Sequence, residues 1–385
     1  MALVVRLLRN LLLIGSLLAF CPLGRAQHLV YALSFSETRG SLQARFPSGA
    51  LRAPINDRLA MLRHYRKTEI YSVSMIDGKR SLLFSDEGMN FEITPVGSVS
   101  GEGKAYLTGV EREWRTTPLP GAYADPSTVY EISLNGSRQF HRLFETQPNQ
   151  SPAVLNAQSS KAAFESFVDG KYVVSIYDVL TWRLIRSWEL TKILQAHCAS
   201  CTLLSFGWMA DGQRLFFNLA EGDDDGENSD SPSVPGTYIA SEEGKDLGKL
   251  SPDHGRFRVP GYVHPNFDYL LGQLPDGSFA FQAHAMREGR PSEIQSFTVI
   301  SNNDSSVQMQ FPDTSRAGNC RVAPSGKYLA YIEERTTRDY RPEFHLWSED
   351  LETGKQKEQF VTPRPNPPTS TEPNVMITLL GWIAE

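Results

Sequence analysis

The chain closes on LLGWIAE (379–385), and a near copy, SFGWMADG, stands in mid-chain at 205–212, where it runs into the strand-like QRLFFNLA (213–220). Ending on the opening of a repeat makes sense only if another part of the chain completes it. Aligned on the turn ahead of the hydrophobic run, GWMADGQRLFFNLA (207–220) matches GQLPDGSFAFQAHA (272–285) without a gap, and RVAPSGKYLAYIEE (321–334) matches both. GSVSGEGKAYLTGVE (97–111) fits with one extra residue, and NAQSSKAAFESFV (156–168) is a worn copy. The residue after the turn falls at Lys104, Lys161, Gln213, Ser278 and Lys327. A repeat of this length is the signature of a stacked or radial architecture.

Each turn-and-strand is followed by a hairpin with alternating polarity, as in EIYSVSMIDGKRSLLF (69–84), VYEISLNGSRQFHRLF (129–144) and FHLWSEDLETGKQKEQF (344–360). Asp77-Gly78 and Asn135-Gly136 predict tight two-residue turns with φ > 0 at both central positions. Four short strands per unit make a propeller blade. Five blades carry their own turn. The sixth is split: GWIAE (381–385) joined to QHLVYAL (27–33) mimics GWMADGQRLFFNL (207–219) with one residue missing. The expected fold is all-β, a six-bladed β-propeller over 27–385, closed by a blade shared between the N- and C-termini. Such closure leaves no open sheet edge at the seam.

Pro275-Asp276-Gly277 ahead of SFAF (278–281), and Pro324-Ser325-Gly326 ahead of KYLAY (327–331), resemble the repeat of TolB-type six-bladed propellers and of the propeller domains in prolyl oligopeptidase relatives. The resemblance spans nearly the whole of 27–385, at the level of the repeat. It implies the architecture. The chain departs from TolB in lacking the separate α/β domain ahead of the propeller, and from the peptidases in lacking a hydrolase domain, so neither family's partners nor chemistry carry over.

The first 26 residues read differently. Arg6 and Arg9 precede the apolar LLLIGSLLAF (11–20), and small residues end at Ala26, which is the pattern of a secretory signal peptide. The run is too short to span a bilayer as a helix, which takes about 20 residues. A lipid-modified Cys21 is the alternative, disfavoured by the bulky Phe20. Cleavage after Ala26 would remove three Arg and no acid, moving the net charge from −6 to −9. An acidic, exported chain of this kind, 40% hydrophobic and 21% charged, is a poor binder of phosphate backbones. The expectation is a periplasmic or secreted monomer with no nucleic-acid partner and no transmembrane segment after cleavage.

Candidate chemistry is sparse. GSVSG (97–101) puts Val99 where a hydrolase nucleophile would stand. HCASC (197–201) has its His on the wrong side for haem attachment, and Cys198 and Cys201 read as a small disulfide loop in preference to two thiols or a metal pair. Cys320 then remains as a buried thiol, since it replaces Phe206 in the repeat. No cofactor is expected. The acidic EGDDDGENSD (221–230) fits no complete calcium-loop spacing; a cation there would be calcium at Asp223 and Asp225. Trp208 and Trp382 occupy equivalent positions and read as packing between blades.

Insertions follow the second strand of a blade at 38–67, 112–127, 221–236 and 335–342, and alternating strand direction sends all four to one face. The first holds seven Lys/Arg against Asp57, with a short helix expected within NDRLAMLRHY (56–65); the third holds six acids and no base. The binding candidates are Arg45, Arg52, Arg63, Arg66, Trp114, Tyr123, Arg338 and Tyr340. The leading expectation is a non-catalytic propeller binding a protein, peptide or cell-envelope component on this face. The alternative is an enzyme of the lactonase or glycosidase kind, with a metal or carboxylate pair in the central channel.

Overall fold

The structure, a computed structural model, describes residues 27–36, 65–89, 91–111, 128–137, 139–146, 150–195, 201–221, 236–250, 261–274, 276–301, 307–313, 320–336, 342–364, 366, 370 and 372–384. Within them lie six four-stranded antiparallel sheets. Blade 1 runs, from the inside out, β24(Asn374–Ala384), β1(Gln27–Ser36), β2(Tyr65–Ser74) and β3(Arg80–Ser85). Blade 2 is β4(Phe91–Val99), β5(Lys104–Glu111), β6(Thr128–Ser133) and β7(Phe140–Glu145); blade 3 is β8(Val154–Leu155), β9(Lys161–Val168), β10(Lys171–Asp178) and β11(Leu184–Glu189). Blade 4 is β12(Cys201–Trp208), β13(Arg214–Glu221), β14(Gly236–Ser241) and β15(Gly248–Lys249), and blade 5 is β16(Tyr262–Gln273), β17(Phe279–Arg287), β18(Arg290–Ser301) and β19(Val307–Asp313). Blade 6 is β20(Cys320–Val322), β21(Tyr328–Thr336), β22(Pro342–Asp350) and β23(Lys355–Val361). A single-turn helix, α1(Leu190–Gln195), links blades 3 and 4.

The split blade is present. β1 pairs with β24 from Gln27↔Ala384 to Ser36↔Asn374, and Leu29↔Trp382 repeats the pair Trp208↔Leu215 of blade 4. Innermost strands touch in the order β16, β20, β24, β4, β8, β12, and β13 and β14 of blade 4 meet β16 of blade 5, which closes the ring.

Alternation along each second strand explains the hydrophobic runs. In β1, Leu29, Tyr31 and Leu33 pack on Ala330 and Ile332 of blade 6, whereas Val30 and Ala32 pack on Ile93 and Ala105 of blade 2. Both faces of the sheet are covered, so both parities are apolar. Each of the six spaces between neighbouring blades holds its own buried cluster. Hydrogen bonds stitch the same seams. Asn218 of β13 donates from Nδ2 to the Leu270 carbonyl at 3.0 Å and accepts from the Leu270 amide at 2.9 Å, so blade 4 pairs with the inner strand of blade 5 as a strand edge would. Asp86, after β3, accepts from the amides of Thr68 (2.7 Å) and Ile93 (3.2 Å) and joins blades 1 and 2.

The turns correct two expectations. Gly78 and Gly136 have positive φ, but Asp77 and Asn135 do not, so neither pair forms a two-residue turn. Ser74 instead accepts from the Gly78 amide (2.9 Å), closing a longer loop that the Asp77 carboxylate braces through the Lys79 amide (3.0 Å). The two-residue turn lies at Asp169 (φ 51°) and Gly170 (φ 76°), between β9 and β10. In the turn after each inner strand, the left-handed position is Gly103, Ser159, Gly212, Gly277 and Gly326. The residue after the third-blade turn is therefore Ser160, one earlier than the sequence phase puts it, because a serine occupies the glycine position there.

Candidate functional site

Antiparallel strands put every second-to-third-strand connection on one face, together with the links from blade to blade. Blades 3 and 5 make that connection with short turns at Asp169-Gly170 and Glu288-Gly289. In blades 1, 2, 4 and 6 the same connection is made by residues 37–64, 112–127, 222–235 and 337–341. Arg45, Arg52, Arg63, Trp114, Tyr123, Arg338 and Tyr340 fall in these four stretches, outside the described residues, as do Asp223, Asp225 and all of the helix expected over 56–65 except Tyr65, which is in β2; Cys198, within 196–200, also lies outside the described residues.

Arg66 is a correction. It belongs to β2 rather than to the insertion, as the extra residue of a bulge between Phe35↔Lys67 and Ser36↔Tyr65. Lys67, also counted with the insertion, is in the strand too. Its ammonium donates to Glu69 at 2.8 Å, lies 3.8 Å from Glu87, and is held above the usual lysine range by the Glu69 hydrogen bond. Arg335 on β21 is likewise matched, to Glu333 at 2.8 Å, and the other Glu333 oxygen accepts from the Trp347 indole at 2.9 Å. Cys201 is disulfide-bonded, and Cys320 is a buried thiol at the start of β20.

The second feature is the central channel. Strand pairing places Ser98, Val154, Gly207, Gly272, Arg321 and Gly381 at one level of the six innermost strands, opposite Tyr106, Ala163, Phe216, Ala280, Ala330 and Val30. Three of the six are glycine. At Gly207 the close approach requires it, since an added Cβ would stand 2.7 Å from the Phe216 ring. Two indoles lock neighbouring strands at this level: Trp208 donates to the Val154 carbonyl (2.9 Å) and Trp382 to the Arg321 carbonyl (3.2 Å). The sequence reading of both tryptophans as packing residues missed this bond; its signal was their shared column.

Two adjoining cavities of about 220 and 500 Å³ occupy the channel, and Arg321 lines both. Arg321 keeps an exposed surface where it lines these cavities, and the partial desolvation of its guanidinium by the surrounding walls shifts it below the ordinary arginine range. Arg321 belongs to no motif, and its one mark in the sequence is that the repeat sets it against Gly207 and Gly272.

Among the described residues, no three His, Cys, Asp or Glu side chains come together as a metal site would need. Among the same residues, no helix is long and apolar enough to cross a membrane.

No family model and no curated protein matches the sequence. In shape the chain is similar to TolB from Acinetobacter baumannii, at 11% identity and a TM-score of 0.49 over 92% of this chain and 66% of that one. It is also similar to a TolB structure from Agrobacterium tumefaciens, at 14% and 0.45 over 93% and 99%, and to a chain of a nidogen/laminin complex, at 10% and 0.40 over 92% and 97%. The chain thus spans about two thirds of the length of the first. These are likenesses of shape alone, and the six-bladed propeller architecture rests on the strand pairing itself.

Proposed function

We propose that this is an exported, non-catalytic β-propeller that holds a protein, peptide or cell-envelope component on its loop-bearing face. The observation that carries the reading is topological. Four of six blades replace a short turn by a connection of five to twenty-eight residues on the same face of a closed ring. Rigid blades presenting variable loops are the usual way a scaffold is given a binding surface. Export is supported by the fit between segment and fold, since β1 begins at Gln27, directly after the expected cleavage position, and pairs there with Ala384.

Blades 1 and 4 stand opposite each other in a ring of six, and they carry the basic and the acidic insertion. The face is polarised, and such a field orients a partner and speeds encounter until salt screens it beyond about 8–10 Å. The test is capture of a partner from the envelope fraction, followed by reversal of Arg45, Arg52 and Arg63 to Glu. The association rate is expected to fall at least about tenfold at low salt, with the difference closing as salt rises. An unchanged rate and salt dependence would move the binding surface elsewhere. A stoichiometric metal in the purified protein, lost together with a hydrolytic activity, would overturn the non-catalytic reading.

A further inference from the structure

We propose that the central channel is a second binding site, for a carboxylate carried on a small apolar body, with Arg321 as its anchor. The proposal is independent of the loop-bearing face: among the described residues, those lining the site belong to inner strands, the residues flanking them and Phe216 of β13, none of them in the four insertions.

The column carries the first part of the argument. Where Arg321 stands, the other five blades have Gly, Gly, Gly, Ser and Val, so a single long cation enters a ring of small side chains. The second part is the state of the guanidinium. It carries five N–H donors. Its hydrogen bond is from Nη1 to the carbonyl of Cys320, next to it in the chain, at 2.9 Å, and among the described residues no carboxylate forms an ion pair with it. Arginine cannot shed its charge as lysine can, so a guanidinium lining a cavity without a paired carboxylate draws its counter-charge from whatever enters.

The walls choose the class of anion. Around the smaller cavity stand Leu204, Phe206, Phe216, Leu270 and Leu271, and the larger adds Trp208. A bare oxyanion would lose its hydration against these groups and recover only the arginine fork. A carboxylate on an aliphatic or aromatic body satisfies both, with the fork on its two oxygens and the body on the apolar wall. A small organic acid and the free C-terminus of a peptide share this chemistry.

The probes for the full mature chain are 3-phenylpropanoate, its amide, inorganic phosphate and a tripeptide ending in phenylalanine with a free carboxylate, each followed by calorimetry. Saturable binding of 3-phenylpropanoate is expected, with the amide weaker by at least roughly tenfold, the loss that follows from giving up a charge-assisted hydrogen bond. Arg321→Met should abolish the distinction between acid and amide while the protein stays folded. Arg321→Lys, which keeps the charge and loses the fork, should retain the preference for the acid at reduced affinity, and it provides the answer if the Met variant does not fold. The tripeptide's affinity relative to the small acid assigns the source, and either order is consistent with the site. Equal binding of acid and amide, phosphate bound as tightly as the acid, or an acid preference surviving in Arg321→Met would each overturn the proposal.

Discussion

At the scale of single residues, the two indole bonds act as rivets between inner strands that share no backbone pairing. Trp382→Phe removes the donor to the Arg321 carbonyl and part of a 5%-exposed side chain, so we expect a loss of about 1–3 kcal/mol, read as a lower melting temperature. Trp208→Phe should cost a similar amount, because its column and its bond are the same. Unchanged melting in both would mean the bonds carry no net stability. Glu165 is a different case. It stands three residues beyond Ala162 on β9, as Asn218 stands three beyond Leu215 on β13, but burial pushes its carboxyl up to about 7. A carboxyl whose pKa is raised by folding favours the neutral form, so its contribution is complete below the unfolded value and is lost as pH rises through about 7. Glu165→Gln should therefore match the wild type near pH 4.5 and melt higher above pH 7, by about 2 °C after allowance for partial exposure. Parallel melting curves across that range would show that the carboxyl is not desolvated.

At the scale of elements, turn chemistry was readable where it is local. Asp77, Asp211, Asp276 and Ser325 each brace the amide two residues on, which explains the polar residue beside each glycine. The turn type was not readable from the dipeptide, because the same Asp-Gly suits a two-residue turn at 169–170 and a longer loop at 77–78; strand register decides between them. The slip of one residue in blade 3 has a similar origin, since Ser159 adopts a conformation that glycine signals elsewhere. Inner-strand glycines serve packing as well as turns. At Gly97 (φ 158°) an added Cβ would lie 2.0 Å from the Tyr106 carbonyl oxygen, and backbone cannot step aside cheaply. Gly97→Ala is expected to cost at least about 2 kcal/mol in chemical denaturation, whereas Gly103→Ala, which meets nothing within 4 Å, should show only the smaller penalty of its positive φ.

At the scale of the molecule, the ring is closed by one strand supplied from the far end of the chain. Removing residues 378–385 takes away most of the pairing of β24 with β1, along with Leu379, Leu380 and Trp382 from two of the six inter-blade clusters. We expect loss of the cooperative unfolding transition rather than a small shift, and a truncated chain with the parent melting temperature would refute the closure. That closure was legible in advance, as were the repeat, the four-strand unit and the two-sided burial of the second strands. All follow from patterns a few residues long, because strand alternation and turn formation are local physics. What only the tertiary structure decided is which residues meet. Ser98, Val154, Gly207, Gly272, Arg321 and Gly381 are spread over most of the chain and become one level of one channel, and Trp382 reaches a carbonyl 61 positions away.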